Sequence, residues 1–257
     1  MASNETTARG SPQIPTENEF EHVFTTRVSP EGLAKERTLY FDGGFLDGLK
    51  GQVAVGLPDG GFLVAWDSPD GDGQAVDARP LHLRRTVSGT RLREDLSVVD
   101  YDGFAIAQDG RAPALACIGD ECLIAYETLG LENGINARSI RVDASPEPPQ
   151  VGENTIEFST HGRRSNVALT AGSDGFLAVW EDSRAGGPAL FGARFSAAGD
   201  VVPADNGGVS LLDASASRRW PDVVFTGSGY RLVWTDDARV YSTVNTAVID
   251  LNTLAVS

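Results

Sequence analysis

The chain has 257 residues, with 21 basic against 36 acidic side chains, a formal charge of −15, and 29 glycines. An apolar fraction of 41% excludes a disordered chain, and an isoelectric point near 4.5 argues against a protein that holds nucleic acid through its phosphates. No apolar run approaches the roughly 18 residues that a membrane helix needs, so no transmembrane segment is expected and the length suits a domain with a buried core.

Residues 1–19 are polar and broken by prolines, which predicts a flexible N-terminal segment. Met1 to Thr7 lacks the charged-then-apolar shape of a signal peptide. Residues 20–45 read as two strands, Phe24 to Val28 running into Ser29-Pro30-Glu31-Gly32, and Thr38 to Asp42.

A pattern then recurs four times, at about 46–111, 112–162, 163–217 and 218–257. In the first repeat Gln52 to Val55, the turn Pro58-Asp59-Gly60-Gly61 and Phe62-Leu63-Val64-Ala65-Trp66 read as a hairpin, with Leu96 to Asp100 as the outermost strand. Its loop Asp70-Gly71-Asp72-Gly73-Gln74-Ala75-Val76-Asp77 places Asp70, Asp72 and Asp77 as a weak Ca²⁺ candidate, lacking the closing glutamate of an EF-hand; a solvated Asp-Gly turn is the plainer account. No other cofactor is indicated.

The second repeat carries Ala112 to Ala116, a turn at Gly119-Asp120-Glu121, Cys122 to Tyr126, Ile140 to Asp143 and Thr155 to Ser159. Cys117 and Cys122 fall opposite each other across this hairpin, a placement that suits a disulfide and an oxidising compartment. Two independent thiols, or a zinc site drawing on the scattered His22, His82 and His161, are the other readings. The third repeat has Asn166 to Thr170, Gly172-Ser173-Asp174-Gly175, Phe176 to Trp180, Phe191 to Gly199 and Val209 to Asp213. The fourth has Asp222 to Phe225, Gly227-Ser228-Gly229, Tyr230 to Trp234 and Ala247 to Asp250.

The aromatics ending the second strands, Trp66, Tyr126, Trp180 and Trp234, are 60, 54 and 54 positions apart. Four short strands per repeat of about 50 residues, without sustained helical periodicity, predict an all-β protein: a β-propeller of four-stranded antiparallel blades. Phe24 to Gly32 aligns with Phe191 to Gly199, so the N-terminal pair reads as a half repeat at 20–45 within a propeller spanning 20–257. The ring is then either closed by a strand such as Thr38 to Asp42, or open and incomplete, with the chain a fragment of a larger propeller whose targeting signal lies outside it. The inner strands are apolar at nearly every position, which predicts burial on both faces.

The segment Trp180-Glu181-Asp182-Ser183-Arg184, followed by Leu190-Phe191-Gly192-Ala193-Arg194 and Gly199, resembles the repeat of large extracellular bacterial proteins with a Leu-Val-Val-Trp-x-Asp-x-Arg … Gly-x-Arg-Val … Gly theme. The Cys-turn-Cys-Leu hairpin at 117–123 resembles a variant of it. The resemblance covers about 20–257, but only 163–217 matches in full; Ser68 and Thr128 replace the second acid, and Thr235 the first. It implies a propeller on a secreted or lipid-anchored protein at the bacterial cell surface or envelope, and no single activity.

Antiparallel pairing brings the start of each first strand and the end of each second strand to one face. Lys50, Arg111, Arg163, Arg164, Arg218 and Arg219 stand before the first strands, and Asp67, Glu127, Glu181, Asp182, Asp236 and Asp237 after the second. Such a ring offers guanidinium forks for carboxylate or sulfate groups; equally, repeated pairs of this kind tie neighbouring blades together. The aromatic set is expected as core between blades. Nucleophile-elbow, phosphate-loop and His-Glu-x-x-His motifs are absent from the sequence. The leading expectation is a non-catalytic extracellular module that binds a surface glycan or protein through this face. A second is a sialidase-like propeller glycosidase or lyase acting on acidic sugars, gripping a carboxylate through Arg163, Arg164, Arg218 and Arg219 despite lacking Ser-x-Asp-x-Gly-x-x-Trp boxes; it requires a deep axial pocket with carboxylates from different blades. A third is a structural spacer with no concave site.

Overall fold

Short apolar runs separated by Gly/Asp turns close into hairpins, and the hairpins extend outward into blades. The computed structural model describes residues 23–28, 34–39, 50–69, 85–101, 103–128, 134–143, 145–154, 162–237 and 241–257. Strands β1 (Val23–Val28) and β2 (Ala34–Leu39) form an antiparallel pair. Blade 1 is β3 (Lys50–Gly56), β4 (Phe62–Pro69), β5 (Arg85–Leu92) and β6 (Phe104–Gln108), in that spatial order. Blade 2 is β7 (Gly110–Ile118), β8 (Glu121–Thr128), β9 (Ile135–Arg141) and β10 (Gln150–Asn154). Blade 3 is β11 (Arg164–Ala171), β12 (Gly175–Asp182), β13 (Ala189–Ser196) and β14 (Val209–Leu212). Blade 4 has three strands, β15 (Arg218–Phe225), β16 (Tyr230–Asp237) and β17 (Ser242–Ile249). The protein is an all-β propeller, and among the described residues helix is confined to a 3-10 turn at Pro203–Asp205. No helix there is long and apolar enough to cross a membrane.

The blades meet through three equivalent cores. Leu63, Ala65 and Val87 of blade 1 pack on Ile124, Tyr126 and Ile140 of blade 2. Leu123, Ala125 and Ile135 of blade 2 meet Phe176, Ala178 and Trp180 of blade 3, and Leu177, Val179 and Leu190 of blade 3 meet Leu232, Trp234 and Ala247 of blade 4. Alternate residues of one strand therefore serve opposite neighbours, and β12 is buried along its whole length, as its unbroken apolar run predicts. Trp66 lies buried with Val64, Leu92 and Leu96. On the outward face of blade 4, Val233 and Val244 hold the places that Val179 and Leu190 hold in blade 3, yet they are 36% and 76% exposed. Among the described residues no further blade packs on that side.

Two outer strands depart from expectation. Residues 96–100 form no blade strand: Leu96 N–H closes a turn on the Arg93 carbonyl, and Asp100 is drawn inward by Arg91, so the outermost strand is β6. In blade 2 the fourth strand is Gln150–Asn154, before the expected 155–159, which lies outside the described residues. The fourth strand at Val209–Leu212 agrees with its expected place. Cys117 and Cys122 pair across β7 and β8 and form the expected disulfide.

Candidate functional site: the axial mouth

The pairing of each inner hairpin slips near one end. The slips lie between Lys50 and Val53, Arg111 and Ala114, Ser165 and Ala168, and Arg219 and Asp222. Each bulge holds one residue in the left-handed region: Gly51 at φ 58, Ala112 at 47, Asn166 at 53 and Trp220 at 55. Glycine is comfortable there and asparagine is tolerated, whereas most L side chains cost about 1–2 kcal/mol. Carboxylates at the ends of the second strands hold two of these bulges. Glu127 Oε1 accepts the Asn166 N–H at 2.7 Å, and Glu181 Oε1 accepts the Trp220 N–H at 2.7 Å, so each glutamate clasps the main chain of the next blade. Asn166 Nδ2 donates to the same Glu181 oxygen at 2.6 Å. Asp67, one methylene shorter, turns to Arg85 instead, and its buried Oδ1 has no hydrogen-bond partner.

Three of the bulge residues, Ala112, Asn166 and Trp220, rim a cavity of about 480 Å³ at the axial end, with Arg111, Glu127, Arg163, Glu181, Asp182 and Arg219 in its wall. A second cavity, of about 470 Å³, continues between β3, β7, β11 and β15. Glu127 and Glu181 come from neighbouring blades, as the second functional expectation requires. The two are engaged unequally. Glu127 Oε2 accepts the Arg111 Nε at 2.9 Å, so both its oxygens are taken. Glu181 Oε2 faces the Arg219 guanidinium at 3.9 Å. Arg163 is exposed at the rim; its N–H donates to Ser183 Oγ, and no described residue pairs with its guanidinium.

The remaining charged positions serve the scaffold. Arg164 is buried and donates from Nε to Asp182 Oδ2 at 3.1 Å, where Arg184 adds Nη2 at 2.5 Å and Trp180 adds Nε1 at 3.3 Å. Burial pushes the Asp182 carboxyl up, and the Arg184 hydrogen bonds and charge, with Trp180, more than offset it, so Asp182 titrates below the usual value. Arg218 pairs with Asp213 at 2.6 Å and lies 3.7 Å from Asp236, which accepts the Trp234 Nε1 at 2.8 Å. Asp237 is 4.0 Å from Arg219. The pairs Arg111–Glu127, Arg164–Asp182 and Arg218–Asp236 thus lie within single hairpins; among pairings within the ring and its bulges, those that cross between blades are the glutamate-to-backbone bonds and Arg219–Glu181. Of the eleven ring residues with described side chains, Arg111, Arg163, Arg219, Glu127, Glu181 and Asp182 reach the mouth, while Asp67, Arg164, Arg218, Asp236 and Asp237 do not line it. Asp70, Asp72, Asp77 and the three histidines lie outside the described residues, as does the Lys50 side chain. No group of metal-ligating side chains occurs among the described residues.

Sequence reading missed Asn166 and Trp220 as mouth residues. The available signal was positional, since each directly follows the residue that pairs with the strand-end acid or its counterpart, Glu181 for Ser165 and Thr235 for Arg219.

No protein-family profile matches the chain, and no curated protein matches it in sequence. Solved structures do resemble it. A family 117 glycoside hydrolase from the marine bacterium Zobellia galactanivorans superposes with a TM-score of 0.51 at 11% identity, over 94% of this chain and 75% of that one. A glycosyl hydrolase from Bacteroides ovatus gives 0.50 at 12% identity, over 91% and 74%. A Parabacteroides distasonis protein provisionally classed as a glycoside hydrolase gives 0.51 at 11%, over 95% and 80%. At such identities the likeness is one of fold, that of an all-β propeller.

Proposed function

We propose that this propeller is carbohydrate-active, taking an acidic sugar in the axial pocket and hydrolysing its glycosidic bond. The observation that carries the reading is the meeting of Glu127 and Glu181, from neighbouring blades, in one pocket with the exposed Arg163 guanidinium. Arg163 is the cation available to a sugar carboxylate, which a guanidinium fork fits in two places at once. Glycoside hydrolysis sets two carboxylates beside the scissile bond. Glu181, whose Oε2 lies 3.9 Å from the Arg219 guanidinium in the pocket wall, is the group assigned to the reacting centre, and Glu127 is the fixed charge beside it. That glycoside hydrolases use this fold supports the reading, as does a concave mouth that a mere spacer does not need. The disulfide and the repeat resemblance support an extracellular or cell-envelope setting in a bacterium.

One observation favours a second reading, capture without cleavage. Each glutamate spends Oε1 on the main chain of the next blade, which is work for a scaffold. Reducing-end release from oligogalacturonate, sialyllactose and hyaluronan fragments, alongside calorimetric binding, separates the two. Hydrolysis predicts turnover that falls by about 10²–10⁴ in Glu181→Gln while binding persists. Binding without turnover selects the capture reading, and the absence of both overturns the carbohydrate reading altogether.

A further inference from the structure

We infer that Trp220 is a stacking platform for a sugar ring at the axial mouth, so that the pocket recognises an oligosaccharide presenting an apolar ring face next to its acidic group. The inference deepens the carbohydrate reading and rests on it. The other three tryptophans with described burial, Trp66, Trp180 and Trp234, are 3%, 0% and 8% exposed; Trp220 is 63% exposed. It joins no core cluster, and the equivalent places in the other blades hold glycine, alanine and asparagine, so packing does not call for an indole.

Its backbone makes the choice stranger. Bulky residues avoid the left-handed region, yet Trp220 sits there at φ 55. Strain of this kind persists where surrounding contacts over-determine it, and it gathers at ligand sites. Here the N–H is clasped by Glu181 Oε1 and the following residue is the buried Pro221, whose ring fixes its own φ. The main chain is thereby pinned and the indole is delivered to the mouth, in the wall that also holds Glu181 and Arg219. An indole face is electron-rich and attracts the weakly positive C–H groups on one side of a pyranose. A carboxylate and a guanidinium beside it accept from and donate to the ring hydroxyls and acidic substituent, the combination of broad apolar contact with few fixed polar groups that orients small ligands.

Trigalacturonate and monomeric galacturonate are the probes, with affinity from calorimetry and intrinsic fluorescence as the local reporter. Trp220→Ala should weaken trigalacturonate binding by about tenfold and abolish the fluorescence response. Monomer affinity should stay within about twofold, the melting temperature should not fall, and Trp220→Phe should recover most of the loss. Arg163→Ala should weaken both probes. Trigalacturonate bound equally by Trp220→Ala and the intact protein overturns the platform while leaving the carbohydrate reading in place. Failure of the intact protein to bind either probe or any other acidic oligosaccharide overturns both.

Discussion

At the scale of single residues, the four bulge positions differ in what their backbones ask of them. Gly51 is the comfortable one, and it is also crowded: a Cβ there would lie 2.8 Å from Asp67 Oδ1 and 3.1 Å from Ala112 Cα. Ala112 carries a side chain at φ 47 with no glycine freedom. Opposite outcomes follow for opposite substitutions. Gly51→Ala should cost about 2 kcal/mol or more, from strain and contact together, whereas Ala112→Gly should be neutral or stabilising by up to about 1 kcal/mol. Urea midpoints of the two variants check this; equal losses would remove the bulge from the account. The charged ring was legible at this scale because Arg, Glu and Asp recur before and after the apolar runs. Which acid meets which base was not, because the slip that sets those partners leaves no shared residue type: the slipped positions read Gly, Ala, Asn and Trp.

At the scale of elements, an arginine of the third strand and a carboxylate from the loop beyond it staple two of the blades to their neighbours. Arg91 binds Asp100 and also donates to the carbonyls of Asp143, Ser145 and Glu147 in blade 2. Arg194 binds Asp205 at 2.6 Å and reaches the carbonyls of Leu251 and Asn252 in blade 4. Burial pushes the Asp205 carboxyl up, and the Arg194 side-chain and backbone donors with its charge outweigh this, leaving it below the ordinary 3.8; Asp182 is lowered likewise by Arg184. A carboxyl lower in the folded than in the unfolded chain binds its proton more readily on unfolding. Its stabilisation is complete above pH about 4 and is lost as pH falls through the folded value. Denaturant midpoints should therefore hold from pH 7 to about 5 and fall below pH 4, and Arg194→Met should be less stable at pH 7 with a shallower acid fall. The same staple explains a misreading of the sequence. Residues 96–100 have strand-like composition, but Asp100 is buried against Arg91, and a tertiary contact of that kind overrides a local pattern. Inner strands were readable because burial on both faces leaves an unbroken apolar run; short outer strands pair through main chain and leave little trace.

For the whole molecule, the repeat of 54 to 60 residues established the architecture, and three near-identical interfaces realise it. The fourth blade breaks the series, exposing Val224, Val233, Val244 and Val248 on the face its predecessors bury. Arg231 and Asp222 stand among these valines, and exposed apolar side chains gathered on one face still bind apolar dyes and promote association. The protein should enhance the fluorescence of such a dye while folded, and Val233→Thr with Val244→Thr should lower that signal and the tendency to self-associate without lowering the melting temperature. An unchanged signal would mean that the face is covered in solution. The mouth has a different consequence. At Trp220 the amide is held by a neighbour's glutamate, so the backbone course is set by an atom every residue but proline possesses; at Asn166 the side chain adds a bond of its own, from Nδ2 to Glu181 Oε1. The position of Trp220 is in this sense a socket: its contents can be exchanged while the scaffold stays still, so a new selectivity needs only a single substitution in an unaltered frame.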